Sequence, residues 1–371
     1  MERGRKKEIL ADLEKKMVFI VGPRQVGKTW LAKDIAKQFR NPVYLNYDRF
    51  EDRKIIESAR WLDTTDLLIL DEIHKMPEWK NRLKGVFDTR PSGMRILVTS
   101  SARLDTFRQS GDSMAGRFFS HRLLPFSLSE LPDASPGDMD RLITCSGFPE
   151  PYLAENGVDA DRWRMQYVDG LIRNDILDFE KIHDFKAIQL VFELLRRRVG
   201  SPLSYTSIAE DVQISATTVK KYVEILESLF IVFRVTPYSK NIARSLVKEP
   251  KVYFYDNGLV VGDEGAKFEN FVAISLQKHV FETMDYTGKA AFLQYIRTRE
   301  GKEVDFCIAQ EGAPLLMIEA KSSDPVLDKN LVYFNHKYNI SACQIVRNLR
   351  QEWKEGGISV VRAESFLRNL R

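Results

Sequence analysis

The amino-acid sequence predicts an α/β protein whose first third forms a parallel sheet with crossover helices. Four short apolar runs alternate there with segments of helical periodicity: Met17–Val21, Val43–Asn46, Leu67–Leu70 and Ile96–Thr99. This alternation is typical of βαβ units. With 371 residues, the chain is also too long for one hydrophobic core of ordinary size, so we expect several domains.

Composition and charge exclude several classes of protein. Hydrophobic residues make up 44% and charged residues 29% of the chain, the balance of a folded globular protein. The first sixteen residues are charged throughout, and no apolar run approaches the roughly 20 residues that cross a bilayer. We therefore expect a cytoplasmic protein. The three cysteines, Cys145, Cys307 and Cys343, lack paired spacing and are expected to be reduced and mostly buried.

A phosphate-binding loop is predicted directly after the first apolar run. The sequence GPRQVGKT fits the G-x-x-x-x-G-K-T pattern and opens a helical segment. Backbone N–H groups of such a loop surround phosphate oxygens, and the helix presents its positive end to them. Lys28 is expected to reach the β and γ phosphates of ATP, and the Thr29 hydroxyl to bind Mg²⁺. The predicted nucleotide-binding residues are Gly22, Pro23, Arg24, Gln25, Val26, Gly27, Lys28 and Thr29.

Two carboxylates end the third apolar run, LLILDE. Asp71 suits the role of holding Mg²⁺, and Glu72 suits that of orienting or activating the attacking water. Ser100 or Thr99, after the fourth run, is a candidate for a hydrogen bond to that water or to the γ-phosphate. Either motif alone is compatible with a surface turn or a strand that ends in acids. Together they predict a site for ATP hydrolysis.

An arginine that acts on a neighbouring subunit's nucleotide would add orders of magnitude in rate. The candidates are Arg103, Arg117 and Arg122. Arg117 is preferred because Gly116 beside it lets the chain approach a neighbour. The alternative for each is a solvated arginine.

The basic excess of the chain is confined to one segment. The formal net charge is +4, yet Arg196 to Lys251 contains ten Lys or Arg against five Asp or Glu. The run from Ser204 to Ser215 predicts a short helix and a turn, with Ser215 as the N-cap of the next helix, and two β-rich strings follow. This is the layout of a winged helix that reads DNA. The residues expected to face a nucleic-acid backbone are Arg196, Arg197, Arg198, Thr217, Thr218, Lys220 and Lys221. The alternative is a module for packing or oligomerisation.

Near the C-terminus, Asp305 precedes Glu319-Ala-Lys321 by fourteen residues, on what we expect to be adjacent antiparallel strands. This pattern looks like the core of PD-(D/E)XK nucleases. It predicts Mg²⁺ held by Asp305 and Glu319, with Lys321 positioning water and Glu269 as a further ligand. The alternative is a salt bridge at strand ends.

Several of these strings resemble one family of prokaryotic AAA-superfamily ATPases whose C-terminal half was long called only a domain of unknown function. The similarity includes GPRQVGKT, LLILDEIHK, GRFFSHRLLPFSLSE and KVYFYDNGL, and covers nearly the whole chain. It implies an ATPase core, a winged helix and a restriction-endonuclease-like domain. We predict an N-terminal basic helix at 1–16, an AAA core at 17–127, a helical lid at 128–187, a winged helix at 188–260 and an α/β nuclease-like domain at 261–371.

The function expected from these features is ATP-driven processing of branched or junction DNA by an oligomeric motor. The C-terminal domain would either cleave DNA with Mg²⁺ or be a catalytically silent fold that clamps DNA. The cofactors would be ATP and Mg²⁺. The partners would be DNA, recognised by structure rather than sequence, and further copies of the chain in a hexameric ring, without a membrane. The alternative from another class is an ATP-binding regulatory or defence switch whose C-terminal half binds protein. A third is a nuclease that ATP merely gates.

Overall fold

The chain divides into two compact units, Met1–Leu124 and Pro125–Arg371. The computed structural model describes residues 5–101, 114–131, 137–171, 184–239, 249–323 and 326–370. Among these residues no helix is long and apolar enough to cross a bilayer.

Unit 1 is built on a parallel sheet. In its described residues the strands are β1 (Met17–Val21), β2 (Pro42–Asn46), β3 (Leu67–Asp71), β4 (Arg95–Ser100) and β5 (Phe118–Arg122), and the helices are α1 (Lys6–Leu13), α2 (Lys28–Ala36), α3 (Phe50–Ser58) and α4 (Trp79–Thr89). The strand order is β2-β3-β4-β1-β5, and every neighbouring pair is parallel. The predicted α/β class with a parallel sheet is confirmed.

Burial explains why the central strands could be predicted and β5 could not. Every residue of β1 and β3 is buried, which requires the continuous apolar runs found in the sequence. In contrast β5 has the sequence FFSHR, of which only His121 is buried. It pairs with β1 from Met17↔Phe118 to Val21↔Arg122 at the edge of the sheet. An edge strand can form without a continuous apolar run, and FFSHR contains none, whereas the other edge strand, β2, keeps an apolar segment in PVYLN that the sequence reveals.

Unit 2 contains a mixed sheet and most of the helices found among the described residues. Its described strands are β6 (Val232–Pro237), β7 (Lys251–Phe254), β8 (Ala291–Arg297), β9 (Glu303–Gln310), β10 (Ala313–Lys321), β11 (Ser341–Val346), β12 (Trp353–Glu355) and β13 (Ile358–Arg362). Its described helices are α5 (Asp138–Cys145), α6 (Pro149–Leu153), α7 (Gly157–Gly170), α8 (Phe185–Arg196), α9 (Tyr205–Val212), α10 (Ala216–Ser228), α11 (Glu264–Thr287), α12 (Lys329–Tyr338) and α13 (Ala363–Arg368).

The strands of unit 2 follow the order β12-β13-β11-β10-β9-β8-β6-β7. The predicted hairpin of β9 and β10 is present and antiparallel. The predicted order of short helix, turn, helix and two β-rich strings is also present, in α9, α10, β6 and β7, and the two strands pair as an antiparallel hairpin. This hairpin continues the sheet, because β6 pairs with β8 through Thr236↔Gln294 and Pro237↔Tyr295.

The helices of the predicted lid are tied to later parts of unit 2 by polar contacts. The side-chain amide of Asn257 donates to Ile143 O of α5 at 2.7 Å, and Arg347 donates to Asp140 of the same helix at 2.9 Å. Arg164 of α7 lies 3.4 Å from Asp256, whose side chain is 1% exposed. These contacts join α5 and α7 to the segment that follows β7, and α5 also to the end of β11.

Asn270 is the centre of a buried polar network in the same region. It is 0% exposed, accepts from Phe254 N at 2.8 Å, and donates to Phe254 O and to Asn257 Oδ1 at 3.0 and 2.9 Å. A buried donor or acceptor that loses its partner costs about 1–3 kcal/mol. This one side chain therefore fixes α11 against β7.

We predict that Asn270→Ala lowers the free energy of unfolding of unit 2 by about 3 kcal/mol, because it strands two backbone groups of Phe254. Urea unfolding followed by circular dichroism measures this change. Ser275→Ala on the same helix is the control, since its hydroxyl bonds only Phe271 O of its own helix and its loss should cost no more than about 1 kcal/mol. Equal effects of the two substitutions would contradict the prediction.

Candidate nucleotide site and carboxylate cluster

The predicted phosphate loop lies between β1 and α2. Gly22 has φ +157°, and a Cβ placed there would lie 2.0 Å from Leu123 O. Gly27 has φ +97° and is the N-cap of α2. Since an L side chain fits neither position without strain, both glycines of the motif have a physical reason to be glycine. The loop thereby presents the positive N-terminus of α2 at the carboxyl edge of the sheet.

The other loop residues divide between the core and the surface. Pro23 and Val26 are buried, Arg24 is half-buried and Gln25 is exposed. Lys28 is 6% exposed, and its ammonium donates to Gly22 O at 2.9 Å and to Pro23 O at 2.6 Å. The ammonium thus lies inside the loop that would surround phosphate oxygens.

Asp71 accepts hydrogen bonds from three hydroxyl groups. Thr29 donates to Asp71 Oδ2 at 3.0 Å and Tyr44 donates to the same oxygen at 2.6 Å, while Thr99 donates to Oδ1. The parallel register Asn46↔Asp71 and Asp71↔Thr99 brings the ends of β2, β3 and β4 together. Burial raises the pKa of Tyr44, and its bond to Asp71 raises it further, so Tyr44 stays a neutral donor.

Glu72 follows Asp71 in a left-handed backbone conformation with φ +55°. Its Oε2 accepts from Ser101 at 3.3 Å and lies 3.4 Å from His74 Nδ1. Burial lowers the pKa of His74 to about 4, so the ring is neutral at pH 7 and does not form an ion pair with Glu72. Burial also raises the pKa of Glu72, an effect that Lys28 opposes.

Ser100 does not point at the same groups as its neighbours. Its hydroxyl lies 3.0 Å from His74 Nδ1, while Thr99 and Ser101 contact Asp71 and Glu72. Thr99, Ser100 and Ser101 thus contact Asp71, His74 and Glu72, respectively. The role of bonding water or γ-phosphate remains a prediction for Ser100.

The residues of this edge fit a magnesium nucleotide. Lys28 and the loop amides suit phosphate oxygens, and the Thr29 hydroxyl beside the Asp71 carboxylate is the oxygen pair that Mg²⁺ prefers. The steric requirement for glycine at position 22 supports the same assignment, because only a loop without that Cβ can close against Leu123. When bound, Mg²⁺ would neutralise charge on the phosphate oxygens.

Arg117 lies near the amino ends of the strands, whereas the phosphate loop lies at their carboxyl ends. Met17 N donates to Arg117 O at 3.0 Å, whereas the phosphate loop follows Val21, which pairs with Arg122. Five strand residues separate the two edges by about 15 Å. The Arg117 guanidinium donates twice to Asp88, at 3.0 Å each. Arg117 therefore does not serve the nucleotide site of its own chain. Arg122 pairs with Val21 and so lies near the phosphate loop. Arg103 is outside the described residues.

The residues predicted to contact DNA differ in their exposure. Ser215 caps α10 as predicted, accepting from Thr218 N at 3.0 Å, and Thr217, Lys220 and Lys221 are exposed. Arg197 is exposed at the end of α8. Arg196 pairs with Glu193 at 2.9 Å, and Arg198 pairs with Asp211 at 2.7 Å. The structure thus brings four of the seven residues to the surface, and Thr218 is half-buried beside its cap.

The hairpin of β9 and β10 brings the three residues of the nuclease-like pattern together. Asp305 N donates to Glu319 Oε2 at 3.2 Å, and Ala320 N donates to Asp305 Oδ2 at 3.1 Å. Lys321 donates to Glu319 Oε1 at 2.7 Å. Glu269 of α11 joins the group through Lys251, which lies 3.5 Å from Glu269 Oε1 and 3.7 Å from Asp305 Oδ1.

Burial and crowding of negative charge shift the pKa values in this cluster. Burial, with Asp305 nearby, raises the pKa of Glu269 to about 7 and that of Glu319 to about 8. Burial also raises the pKa of Asp305. The carboxylates around Lys251 raise its pKa although burial alone would lower it. The lysine is therefore charged, and the cluster is held by its own ion pairs.

The predicted nuclease metal does not fit this arrangement. Among the described residues, no group of three His, Cys, Asp or Glu side chains is placed to hold a metal ion. The ammonium of Lys251 stands among the carboxylates that would be ligands. This cluster therefore does not fit a metal-dependent reaction.

Sequence reasoning missed Tyr44, Ser101, His74, Lys251 and Glu303. The sequence does carry a signal for Glu303 and Lys251. Glu303 and Asp305 share one face of β9, and Lys251 and Tyr253 share one face of β7, because residues two apart in a strand lie on the same face. Polar residues at such spacing in otherwise apolar strands indicate a buried polar centre. Tyr44 lies in a strand that the sequence does predict, but only the register places its hydroxyl at Asp71.

Comparison with protein families divides the chain into three parts. Residues 14–132 match a family described as an AAA domain. Residues 137–265 match DUF8612 and residues 264–366 match DUF4143, both described as domains of unknown function. Unit 1 is thus a P-loop ATPase domain of the AAA type.

Curated relatives are similar over most of their length. A protein of Mycobacterium tuberculosis is 24% identical over 328 residues, which cover 85% of this chain and 72% of the relative. A protein of Methanocaldococcus jannaschii is 23% identical over 356 residues, covering 84% of this chain and 77% of the relative. Both are named only as uncharacterized proteins.

Two solved structures are similar at low identity. A Walker-type ATPase of Pyrococcus abyssi is 12% identical with a TM-score of 0.48, covering 70% of this chain and 94% of that chain. A RuvB variant of Thermotoga maritima is 19% identical with a TM-score of 0.33, covering 62% of this chain and 88% of that chain. Likeness at this level carries no functional argument.

We predict that Tyr44→Phe raises the Mg²⁺ concentration needed for half-maximal ATP hydrolysis by about threefold to tenfold, because it removes one of two hydroxyl donors from Asp71 Oδ2 and loosens the metal-holding carboxylate. Affinity for ATP measured without Mg²⁺ should stay within about twofold. Tyr47→Phe is the control, because its hydroxyl bonds Glu57 at 3.1 Å. An unchanged Mg²⁺ requirement in Tyr44→Phe would show that Tyr44 does not orient Asp71.

Proposed function

We propose that this chain is an ATP-hydrolysing, DNA-processing protein that acts as an oligomer on branched or junction DNA. One observation carries the ATP-hydrolysing part: Lys28, Thr29, Asp71 and Glu72 meet at one edge of the parallel sheet of unit 1. Support for DNA as the partner comes from the exposed basic face of unit 2.

In hydrolysis of ATP, the roles of these side chains follow from their positions. The loop amides and Lys28 hold the phosphates, and Asp71 keeps Thr29 oriented. Glu72 lies one residue further along, where its carboxylate, held by Ser101, can accept a proton from the attacking water. The left-handed backbone at Glu72 turns that side chain away from the direction of the strand.

Glu72→Gln should lower the rate of ATP hydrolysis by about 100-fold or more while leaving ATP binding within about threefold, since the amide fills the same space but cannot accept the proton. Phosphate release and fluorescent-nucleotide binding measure the two quantities. Glu51→Gln, on the exposed face of α3, is the control for removal of one negative charge. Retention of more than about a tenth of the rate would remove Glu72 from this role.

Arg117 supports an oligomeric arrangement. Because Arg117 is far from the nucleotide site of its own chain, it could act only on a phosphate bound by a neighbouring subunit. In the isolated chain Asp88 would bind the Arg117 guanidinium, and in the assembled ring the guanidinium would leave Asp88 for the neighbour's phosphate. We therefore propose that the rate of ATP hydrolysis depends on assembly of the oligomer, because each site would need the arginine of a neighbour.

The surface proposed to bind DNA is the exposed side of α10 together with the end of α8. It contains Thr217, Lys220 and Lys221 of α10, and Arg197. Arg196 and Arg198 already have carboxylate partners, so a phosphate would have to displace these. Lysines and threonines contact phosphates without reading bases, which favours recognition of DNA structure.

Binding of DNA to the exposed side of α10 should weaken as the salt concentration rises, whereas binding through a carboxylate cluster or an apolar face should not. We predict that Lys220→Glu together with Lys221→Glu weakens binding to four-way and duplex DNA at low salt, and makes the slope of log K against log salt shallower by about 2. Fluorescence anisotropy from 50 to 200 mM salt measures both. The control pair Lys289→Glu with Lys354→Glu changes the same charge at other exposed positions, and an equal effect of both pairs would mean that α10 is not the contact.

A second function remains a candidate: an ATP-dependent regulatory or defence switch whose C-terminal half binds protein. The internal ion pairs of Arg196 and Arg198 favour it, since they reduce the charge available to phosphates. Binding of DNA that does not depend on salt, or no binding, would favour this function instead.

A further inference from the structure

Lys251 is a buried cation in the centre of the nuclease-like cluster. It is the first residue of β7, and its side chain is 2% exposed. Its ammonium lies 2.7 Å from Glu303 Oε1, 3.5 Å from Glu269 Oε1 and 3.7 Å from Asp305 Oδ1. Burial of a lysine to this extent is rare unless it is paired, and these carboxylates provide the pairing.

The carboxylate oxygens of the cluster have internal donors. Both oxygens of Glu319 accept, one from Asp305 N and one from Lys321, and Asp305 Oδ2 accepts from Ala320 N. Glu303 bonds Lys251 through one oxygen and Arg297, at 3.1 Å, through the other. Glu269 Oε1 also accepts from the Tyr253 hydroxyl at 2.7 Å.

A divalent metal would need the space and the oxygens that Lys251 uses. Mg²⁺ binds carboxylate oxygens at about 2.0–2.1 Å in an octahedral shell. An ammonium within 4 Å of the same oxygens repels a double positive charge strongly in a buried site. Lys251 and a metal at Glu269 and Asp305 therefore exclude each other.

We infer that Lys251 is the resident cation of this cluster, in place of a divalent metal, and that the C-terminal sheet does not cleave DNA through these residues. The fold thereby keeps the carboxylates paired within the protein. Lys251 joins β7, α11 and β9, so the same residue that excludes the metal also stabilises the sheet. This inference does not depend on binding of DNA by α10.

Mn²⁺ binding to the full-length, nucleotide-free protein tests the inference. All proteins carry Asp71→Asn, which removes the metal-holding carboxylate of unit 1. Isothermal titration calorimetry then compares four proteins: one with no further change, one with Lys251→Met, one with Glu319→Gln, and one with both of these substitutions. We expect Lys251→Met to bind one Mn²⁺ at least tenfold more tightly than the unchanged cluster. Adding Glu319→Gln should abolish that gain.

Two results would overturn the inference. One is a Mn²⁺ site in the unchanged cluster that Glu319→Gln removes, and the other is folded Lys251→Met without any gain. Circular dichroism decides whether Lys251→Met is folded. If it is not, the comparison of the unchanged cluster with Glu319→Gln decides alone, since equal Mn²⁺ binding supports Lys251 as the cation. Plasmid cleavage with Mn²⁺ by the protein with native Asp71 should likewise show no component that Glu319→Gln removes.

Discussion

The shared carboxyl edge of the parallel strands in unit 1 is the constraint on which the nucleotide site depends. Parallel pairing of β1, β3 and β4 places the phosphate loop, Asp71 and Thr99 at one edge. Hydroxyls from α2, β2 and β4 then converge on the single buried carboxylate of Asp71. A change of register in any strand would separate donor from acceptor, so the fold and the site are specified by the same pairing.

Two buried charge centres, built on different principles, distinguish the two units. Asp71 is satisfied by neutral hydroxyls, which leave a negative charge for a cation to meet. The cluster around Lys251 is satisfied by its own ammonium groups and backbone amides. Desolvation makes either arrangement unfavourable unless every group has a partner. The first centre can therefore accept Mg²⁺ with a nucleotide, and we infer that the second is closed to a metal.

The sequence predicts most of what depends on local pattern. The strands β1 and β3, the phosphate loop and the N-cap at Ser215 follow from buried apolar runs, glycine positions and capping chemistry. The Tyr44 bond to Asp71 and the position of Lys251 depend on pairing between distant strands, which no local pattern contains. The edge strand β5, FFSHR, has no continuous apolar run, so no local pattern predicts it.

The central claim is that hydrolysis at the unit 1 site responds to DNA. The steady-state rate of Mg²⁺-dependent ATP hydrolysis by the full chain, compared without DNA and with single-stranded, duplex and four-way DNA at low salt, tests it most directly. The account predicts a rate that DNA increases, most of all four-way DNA. The same rate with all three DNAs and without DNA would contradict it.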